Sequence, residues 1–194
     1  ACLPIRYEIT NTAATTGAST LKQICSTVLS EGGYELRGKQ LSAGTSISSA
    51  YALATAGTYY PLIALRLKST NLDGIVAPTQ ASITGTGNGL FYKYQVMSDV
   101  TITGGAWVSA GTDSSVEYNI SGTAVSGGSI VASGFITSSN QSTPVVNIIK
   151  QTLFNLQLER NSLTSTPLVI AIALSCNTNT TTAFASIDWE EVTR

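Results

Sequence analysis

The chain contains no histidine, so carboxylates and lysines are its only candidate groups for acid–base chemistry. Its only adjacent carboxylates are Glu190 and Glu191, and Asp188 lies two residues before Glu190. On a strand, Asp188 and Glu190 face one way and Glu191 faces the other, whereas a glycosidase needs two carboxyl groups on opposite sides of a sugar, roughly 5 to 9 Å apart. We therefore expect these side chains on a solvated strand face, and we predict neither a catalytic residue nor an enzyme.

Cofactor and metal sites are not expected either. Residues 85–89, Gly-Thr-Gly-Asn-Gly, superficially resemble a phosphate-binding loop, but no Lys-Ser/Thr follows and a strand pattern comes next, which predicts a turn. Cys2, Cys25 and Cys176 have no short spacing, and the commonest zinc ligand, histidine, is absent. Cys25 and Cys176 lie in apolar surroundings typical of small core residues, and the sequence leaves a disulfide open.

Aromatic residues beside turns are the remaining candidates for ligand contact, because sugar-binding sites stack pyranose rings on exposed tyrosine and tryptophan. Tyr59, Tyr60 and Trp107 adjoin predicted turns, and Asn140 lies in another predicted loop. These four residues form the candidate contact surface, with packing against a sheet edge as the default alternative for the aromatic rings. Trp189 shares its strand face with apolar residues and is predicted to lie in the core.

The elements that must position these residues are strands. Five segments alternate apolar and polar residues with a period of two, which is typical of antiparallel strands with one solvated face. They are residues 63–68, 90–97, 116–120, 154–159 and 185–190. Residues 168–176 are apolar on both faces and predict a central strand that is covered on both sides. Weaker strand candidates are residues 3–9, 21–29, 34–41, 100–103 and 129–136.

Turn clusters separate these strands, and evidence for helix is thin. Clusters rich in Gly, Ser and Asn lie at residues 31–33, 85–89, 104–105, 127–128 and 138–140, while residues 46–56 and 144–151 could each form at most a short helical turn. Short strands with such spacing are typical of sandwiches and barrels. The sequence predicts an all-β fold: an antiparallel, jelly-roll-like β-sandwich of ten or more strands with little helix, in a single domain over residues 1–194.

Composition limits the partners. Charged residues make up 11% of the 194 residues, against a usual share of about 25%, and the net charge is −1. The ten lysines and arginines are scattered singly, so the sequence predicts no nucleic-acid partner, and Lys93 with its aromatic neighbours indicates a half-buried strand. The longest apolar run, residues 168–174, is far shorter than the roughly 20 residues needed to span a bilayer, so no membrane partner is expected.

Three strings near the start of the chain, PIRYEI (residues 4–9), LKQICSTV (21–28) and SEGGYE (30–35), resemble structural proteins of tailed bacteriophages, especially cyanophages, and of large algal viruses. Residues 91–94, Trp107, 115–118 and 188–191 follow in similar order, so the resemblance runs nearly end to end. It implies a capsid decoration, fibre, spike or tail-associated component of a virion that assembles in the host cytoplasm. It also implies the C-terminal part of a longer or processed chain, in agreement with a start that lacks Met. No catalytic residues belong to this pattern.

Two hypotheses follow. The first is a virion structural module whose partners are copies of itself, with a trimer favoured, and other virion proteins. The second is a lectin-like module that recognises a host-surface glycan. A structural module should expose a broad apolar patch, whereas a lectin should gather Tyr or Trp with Asn, Asp or Arg in one small concavity.

Overall fold

The structure, a computed structural model, describes residues 38–89, 91–138, 156–161 and 163–192. These residues form ten strands and no helix, and all fall within one compact unit, Arg37–Arg194. The strands are β1 (Lys39–Gly44), β2 (Tyr51–Leu53), β3 (Tyr60–Leu67), β4 (Ile75–Thr86), β5 (Phe91–Thr103), β6 (Val108–Ser109), β7 (Val116–Asn119), β8 (Ala124–Thr137), β9 (Ile170–Cys176) and β10 (Thr181–Val192). The prediction of a single domain over residues 1–194 reaches beyond the described ranges and stays a prediction.

The strands form two antiparallel sheets. In the four-stranded sheet, β10 is central, with β4 on one side and β1 and β2 on the other. The six-stranded sheet has the order β6-β7-β3-β9-β5-β8. An isolated bridge between Gly85 and Ser138 connects the end of β4 with the end of β8. The predicted all-β antiparallel sandwich is confirmed, and the jelly-roll order of its connections stays a prediction.

The core lies between the two sheets, where apolar residues of both inner faces form one cluster. Trp189 of β10 and Tyr92, Tyr94 and Ile172 of the six-stranded sheet are fully buried in it. Every residue of β9 is buried, which confirms the predicted central strand. Cys176, at the end of β9, is buried as well and packs in the same cluster.

Two tyrosine rings in this core lie over glycines. This contact explains why glycine, which is uncommon inside strands, occurs at these two positions. A Cβ on Gly134 of β8 would come within 2.6 Å of the Tyr94 hydroxyl oxygen, and a Cβ on Gly85 of β4 would collide with the Tyr92 ring. A strand glycine often marks such a close approach. The small residue therefore makes room for a ring that a larger residue would displace.

One predicted turn lies inside a strand. Gly127 and Gly128 have φ of +71° and +70°, but β8 continues through them. The register between β5 and β8 skips Asp99 and Gly128, and Asp99 has a φ of +57°. Both strands therefore share the irregularity. The predicted turn at residues 104–105, by contrast, is confirmed, since Gly104 and Gly105 have φ of +74° and +70°.

Two further predictions differ from the structure. The described residues 156–159 form no strand, although Leu158 is buried and its backbone N–H donates to the Val76 carbonyl oxygen at 2.9 Å. Residues 46–56, predicted to form a loop or a single helical turn, contain a turn as well as the three-residue strand β2, which was not predicted. The predicted elements at residues 3–9, 21–29 and 144–151 lie outside the described residues, as do Cys2 and Cys25.

Candidate contact surfaces

The carboxylates at the end of β10 divide between the two faces of the sheet. Glu191 is only 1% exposed, and its carboxylate accepts hydrogen bonds from the Ser115 backbone N–H and the Trp189 indole N–H, both at 2.9 Å, and from the Ser114 hydroxyl. The expectation of a solvated position is therefore wrong for Glu191, because the residues that precede β7 cover it. Asp188 and Glu190 lie half-buried on the other face. Glu191 thus acts as a buried acceptor that holds β10 to the start of β7.

The other chemical candidates carry no site in the described ranges. Residues 87–88 form the bend between β4 and β5, in agreement with the predicted turn, although Gly85 and Thr86 belong to β4. Within the part of the chain that the structure describes, no three His, Cys, Asp or Glu side chains lie close enough together to hold a metal ion. No helix in the same residues is long and apolar enough to cross a membrane.

Tyr59 and Tyr60 precede and begin β3, and they have different surroundings. Tyr60 packs against the core cluster, its ring centroid lies 6.4 Å from that of Tyr51, and its hydroxyl oxygen accepts from the Thr55 backbone N–H at 3.2 Å. Burial, and then the neighbouring Tyr60, raises the pKa of Tyr51 to about 12. Tyr59 instead lines a cleft at the end of the six-stranded sheet. The structure thus gives a packing role to Tyr60 and a surface position to Tyr59.

This cleft, which we call the aromatic cleft, has a volume of about 260 Å³. It crosses the ends of four neighbouring strands, β3, β9, β5 and β8. Its principal lining residues are Tyr59, Phe91, Lys93, Phe135, Ser175 and Asn177. In the register, Lys93 pairs with Ser175 on one side and Phe135 on the other, so these three residues form a row across the sheet.

Hydrogen bonds and ring contacts fix the polar groups of the aromatic cleft. The side-chain oxygen of Asn177 accepts from the Phe91 backbone N–H at 3.2 Å and from the Thr178 hydroxyl at 3.3 Å. The Lys93 ammonium lies 5.6 Å from the centroid of the Phe135 ring, within range of a cation–π interaction. The cleft therefore brings one cation and one amide together with the aromatic side chains of Tyr59, Phe91 and Phe135.

Trp107 lies elsewhere on the same outer face of the six-stranded sheet. It is half-buried and packs against a small apolar cluster built on Ala64 and Ala171. The Arg66 guanidinium carbon lies 4.1 Å from the Trp107 ring centroid, and Arg66 donates through Nε and Nη2 to Glu117 at 3.0 and 2.8 Å. This arrangement matches the packing alternative given for the aromatic candidates, and it does not bring Trp107 together with Tyr59.

The remaining predicted candidate, Asn140, lies outside the described residues. Phe135 and Asn177 were not predicted as candidates, although they join Tyr59 at the cleft. They lie 42 residues apart in sequence, on β8 and after β9, and only the order of strands brings them to one place. An aromatic residue among Gly, Ser and Ala in the segment 132–135 is the one local signal that could have pointed to Phe135.

A second surface feature lies along β5 and β8, where large apolar side chains are exposed. Phe135 is 71% exposed, Ile130 is 56%, Phe91 is 55% and Val131 is 39%. We call these four residues the apolar strip. β8 is the end strand of its sheet, and in the described ranges its only partner along its length is β5. Val131 is the extra residue of a bulge opposite Val96 and Met97.

No family model matches this chain, and no curated protein or solved structure does.

Proposed function

We propose that this chain is a structural module of a virus particle that works by subunit assembly, and that the apolar strip is part of its subunit contact. The exposure of the apolar strip is the observation that carries the assembly proposal. The resemblance of residues 4–35 to virion structural proteins supports the assignment to a virus particle. The same resemblance supports the proposed location in the virion and the proposed absence of an enzymatic role. The proposed partners are copies of the chain, as a closed trimer or larger ring, and other virion proteins.

The size of the apolar strip suits this proposal. A whole aromatic side chain presents roughly 150–250 Å², so the exposed fractions of the four residues amount to on the order of 400 Å². The exposed Ser133 interrupts the strip, but its summed area is comparable with that of the largest apolar patch on a typical monomer, which is often functional. A standard interface buries about 800 Å² on each partner, so the apolar strip would form its centre and the Ser residues of β8 its polar rim.

The irregularities of β8 favour contact through side chains over simple addition of a strand to its edge. The bulge at Val131 and the positive φ of Gly127 and Gly128 interrupt the regular row of backbone groups along the strand. Bulges of this kind protect sheet edges from indiscriminate pairing. A contact through the side chains of the apolar strip is selective, because it needs a complementary surface.

The test is the native mass of the 194-residue chain by light scattering at micromolar concentration. We expect a trimer or larger closed oligomer, and we expect Ile130→Asp to weaken association by about 10- to 100-fold, since a buried charge at an interface centre is costly. Ile47→Asp is the matched control, because Ile47 is 93% exposed in the turn after β1. A monomeric wild-type chain, or an Ile130→Asp oligomer as stable as the control, contradicts the proposal.

A second candidate function is recognition of a host-surface glycan, and the aromatic cleft is the observation that favours it. The cleft gathers a tyrosine with an asparagine, a lysine and two phenylalanines in one small concavity. Sugar sites combine apolar ring faces with a few placed polar groups in this way. Phe91 and Phe135 belong to the apolar strip as well as to the cleft, so a glycan can bind in the oligomer only where the subunit contact, centred on Ile130 and Val131, leaves these two rings uncovered. Several weak cleft contacts would then add to a strong attachment.

A further inference from the structure

We infer that the aromatic cleft is selective for a saccharide unit that carries a carboxylate, such as a uronic acid, and that Lys93 is the residue that reads this charge. This inference rests on the second candidate function, glycan recognition, and adds the chemical class of the ligand. It depends on three properties of the cleft: its charge, the arrangement of its aromatic faces and its size.

The charge of the aromatic cleft comes from Lys93. No Asp or Glu is among the lining residues, and in the described part of the chain no carboxylate oxygen lies within 4.0 Å of the Lys93 ammonium. Among the other described cations, Arg66 and Arg160 each pair with a carboxylate, and the Lys68 ammonium donates to the Gly111 carbonyl oxygen. A lysine in an aromatic setting attracts an anion more strongly than one in open water, because its surroundings have a lower effective dielectric constant.

The aromatic faces flank this charge. Tyr59 lines the cleft from the β3 side and Phe135 from the β8 side, with Lys93 and Ser175 between them in the strand order. A pyranose ring has an apolar C–H face that packs on an aromatic ring, and its equatorial substituents, including the carboxylate on carbon 5 of a uronic acid, point outward from the ring. A sugar held between these walls can therefore direct a carboxylate towards Lys93.

The remaining polar groups suit hydroxyls. The Asn177 side-chain oxygen is engaged by the Phe91 N–H, and the Asn177 amide nitrogen donates to no described residue. Ser175 adds a hydroxyl, which can donate or accept. With a volume of about 260 Å³, the cleft is slightly smaller than the ligand pockets of drug-sized molecules, which occupy roughly 300–1,000 Å³. This size suits one sugar ring rather than a chain.

The experiment compares two ligands that differ only at carbon 6: the methyl glycosides of galacturonic acid and of galactose. Binding to the wild-type chain is measured by ligand-observed NMR titration at low salt. We expect the acid to bind with a Kd of about 1 mM and at least fivefold more tightly than the neutral glycoside. We expect Lys93→Gln to abolish this preference and Lys93→Arg to retain it. We expect Tyr59→Ala to weaken both ligands by about tenfold, while Phe184→Ala, on the other sheet, changes neither.

Each outcome bears on a different claim. Equal binding of the two glycosides overturns the acidic selectivity and leaves glycan recognition standing. A preference for the acid that survives Lys93→Gln overturns the role of Lys93. Absence of binding for both glycosides overturns glycan recognition as well. Equally tight binding of a glutamate hexapeptide, which has the charge without the sugar face, overturns the saccharide class. None of these outcomes affects subunit assembly, which the mass measurement on Ile130→Asp tests separately.

Discussion

The two edges of the six-stranded sheet are built in opposite ways. At one edge, β6 and β7 are only two and four residues long, and Trp107, Arg66 and Glu117 form a packed cluster beside them. At the other edge, β8 is 14 residues long and exposes the apolar strip. Short strands and charged side chains are common means of blunting a sheet edge. The difference indicates that the described residues cover the edge at β6 and β7, and that the edge at β8 is where we expect a partner to bind.

Trp107→Ala should have the largest effect on the edge at β6 and β7. The ring packs on the cluster around Ala64 and Ala171 and carries the Arg66 contact, so we expect the free energy of unfolding in urea to fall by about 2 kcal/mol. Val108→Ala, a change at a 44% exposed neighbour, is the control, with an expected loss of less than about 0.5 kcal/mol. The oligomer mass should not change. If Trp107→Ala disrupts the oligomer without loss of stability, both edges are contact surfaces and the comparison fails.

Gly134→Ala should have the next largest effect. It tests how the inner face of β8, the strand at the other edge, is anchored to the core. The added methyl group meets the Tyr94 ring, whose hydroxyl oxygen lies 2.6 Å from the position of the new Cβ. We expect a loss of about 1–3 kcal/mol in the free energy of unfolding, measured in urea. Ser133→Ala, whose exposed side chain lies on the outer face of the same strand, should cost almost nothing. Equal effects of the two substitutions would mean that β8 is not anchored through its inner face.

The ionisation of Tyr51 should have the smallest effect on stability. It tests the hydrogen bond from Tyr51 to the segment that connects β7, at one edge, with β8, at the other. Its hydroxyl donates to the carbonyl of Gly122, which lies between β7 and β8, and its pKa is raised to about 12 from 10.0 by burial and then by Tyr60. Since the folded state holds this proton more tightly than the unfolded state, the stabilisation is complete below pH 10 and is lost as the pH rises towards 12. The side chain is partly exposed, so we expect a loss of about 1 kcal/mol.

This pH dependence is measured by urea unfolding of the wild-type chain and Tyr51→Phe at about pH 9 and pH 11.5. The variant lacks the ionising hydroxyl and should lose less stability between the two conditions. A residual loss is expected in both proteins, because burial also raises the pKa of Tyr92 and Tyr94. An identical loss in both proteins rules out Tyr51 as the alkali-sensitive connection.

The parts of this fold that the sequence predicts are those that local patterns encode. Seven consecutive apolar residues predict β9 as a covered central strand, and alternation assigns Tyr92, Tyr94 and Val96 to the inner face of β5, as the structure confirms. The irregularity at Gly127 and Gly128 could not be predicted, because it depends on the opposite strand, where the register passes over Asp99, about 30 residues away. Two adjacent glycines ordinarily indicate a turn.

The surfaces are harder to predict than the strands, because they also depend on residues that are remote in sequence. Tyr59 was identified as a candidate by its position beside a turn, but the partners that make a cleft come from β5, β8 and the end of β9. The polar residues at the end of β10 predict a solvated position for Glu191. It is buried instead, because Ser114 and Ser115, about 76 residues away in sequence, cover it and donate hydrogen bonds to it. Neighbours that are remote in sequence decide burial at both places.

The pairing of β1 with β10 has a mechanical consequence. Lys39, the first residue of β1, lies opposite Glu191, the last but one of β10, so the start of β1 and the end of β10 are side by side at the same end of an antiparallel pair. A force that pulled on these two ends would peel β1 from β10 one pair of hydrogen bonds at a time, a geometry that resists tension poorly because the bonds do not share the load. A module tethered in this way cannot serve as a strong link in a chain under tension. Contacts through the faces of its sheets would carry load in a particle better than a pull on Lys39 and Glu191.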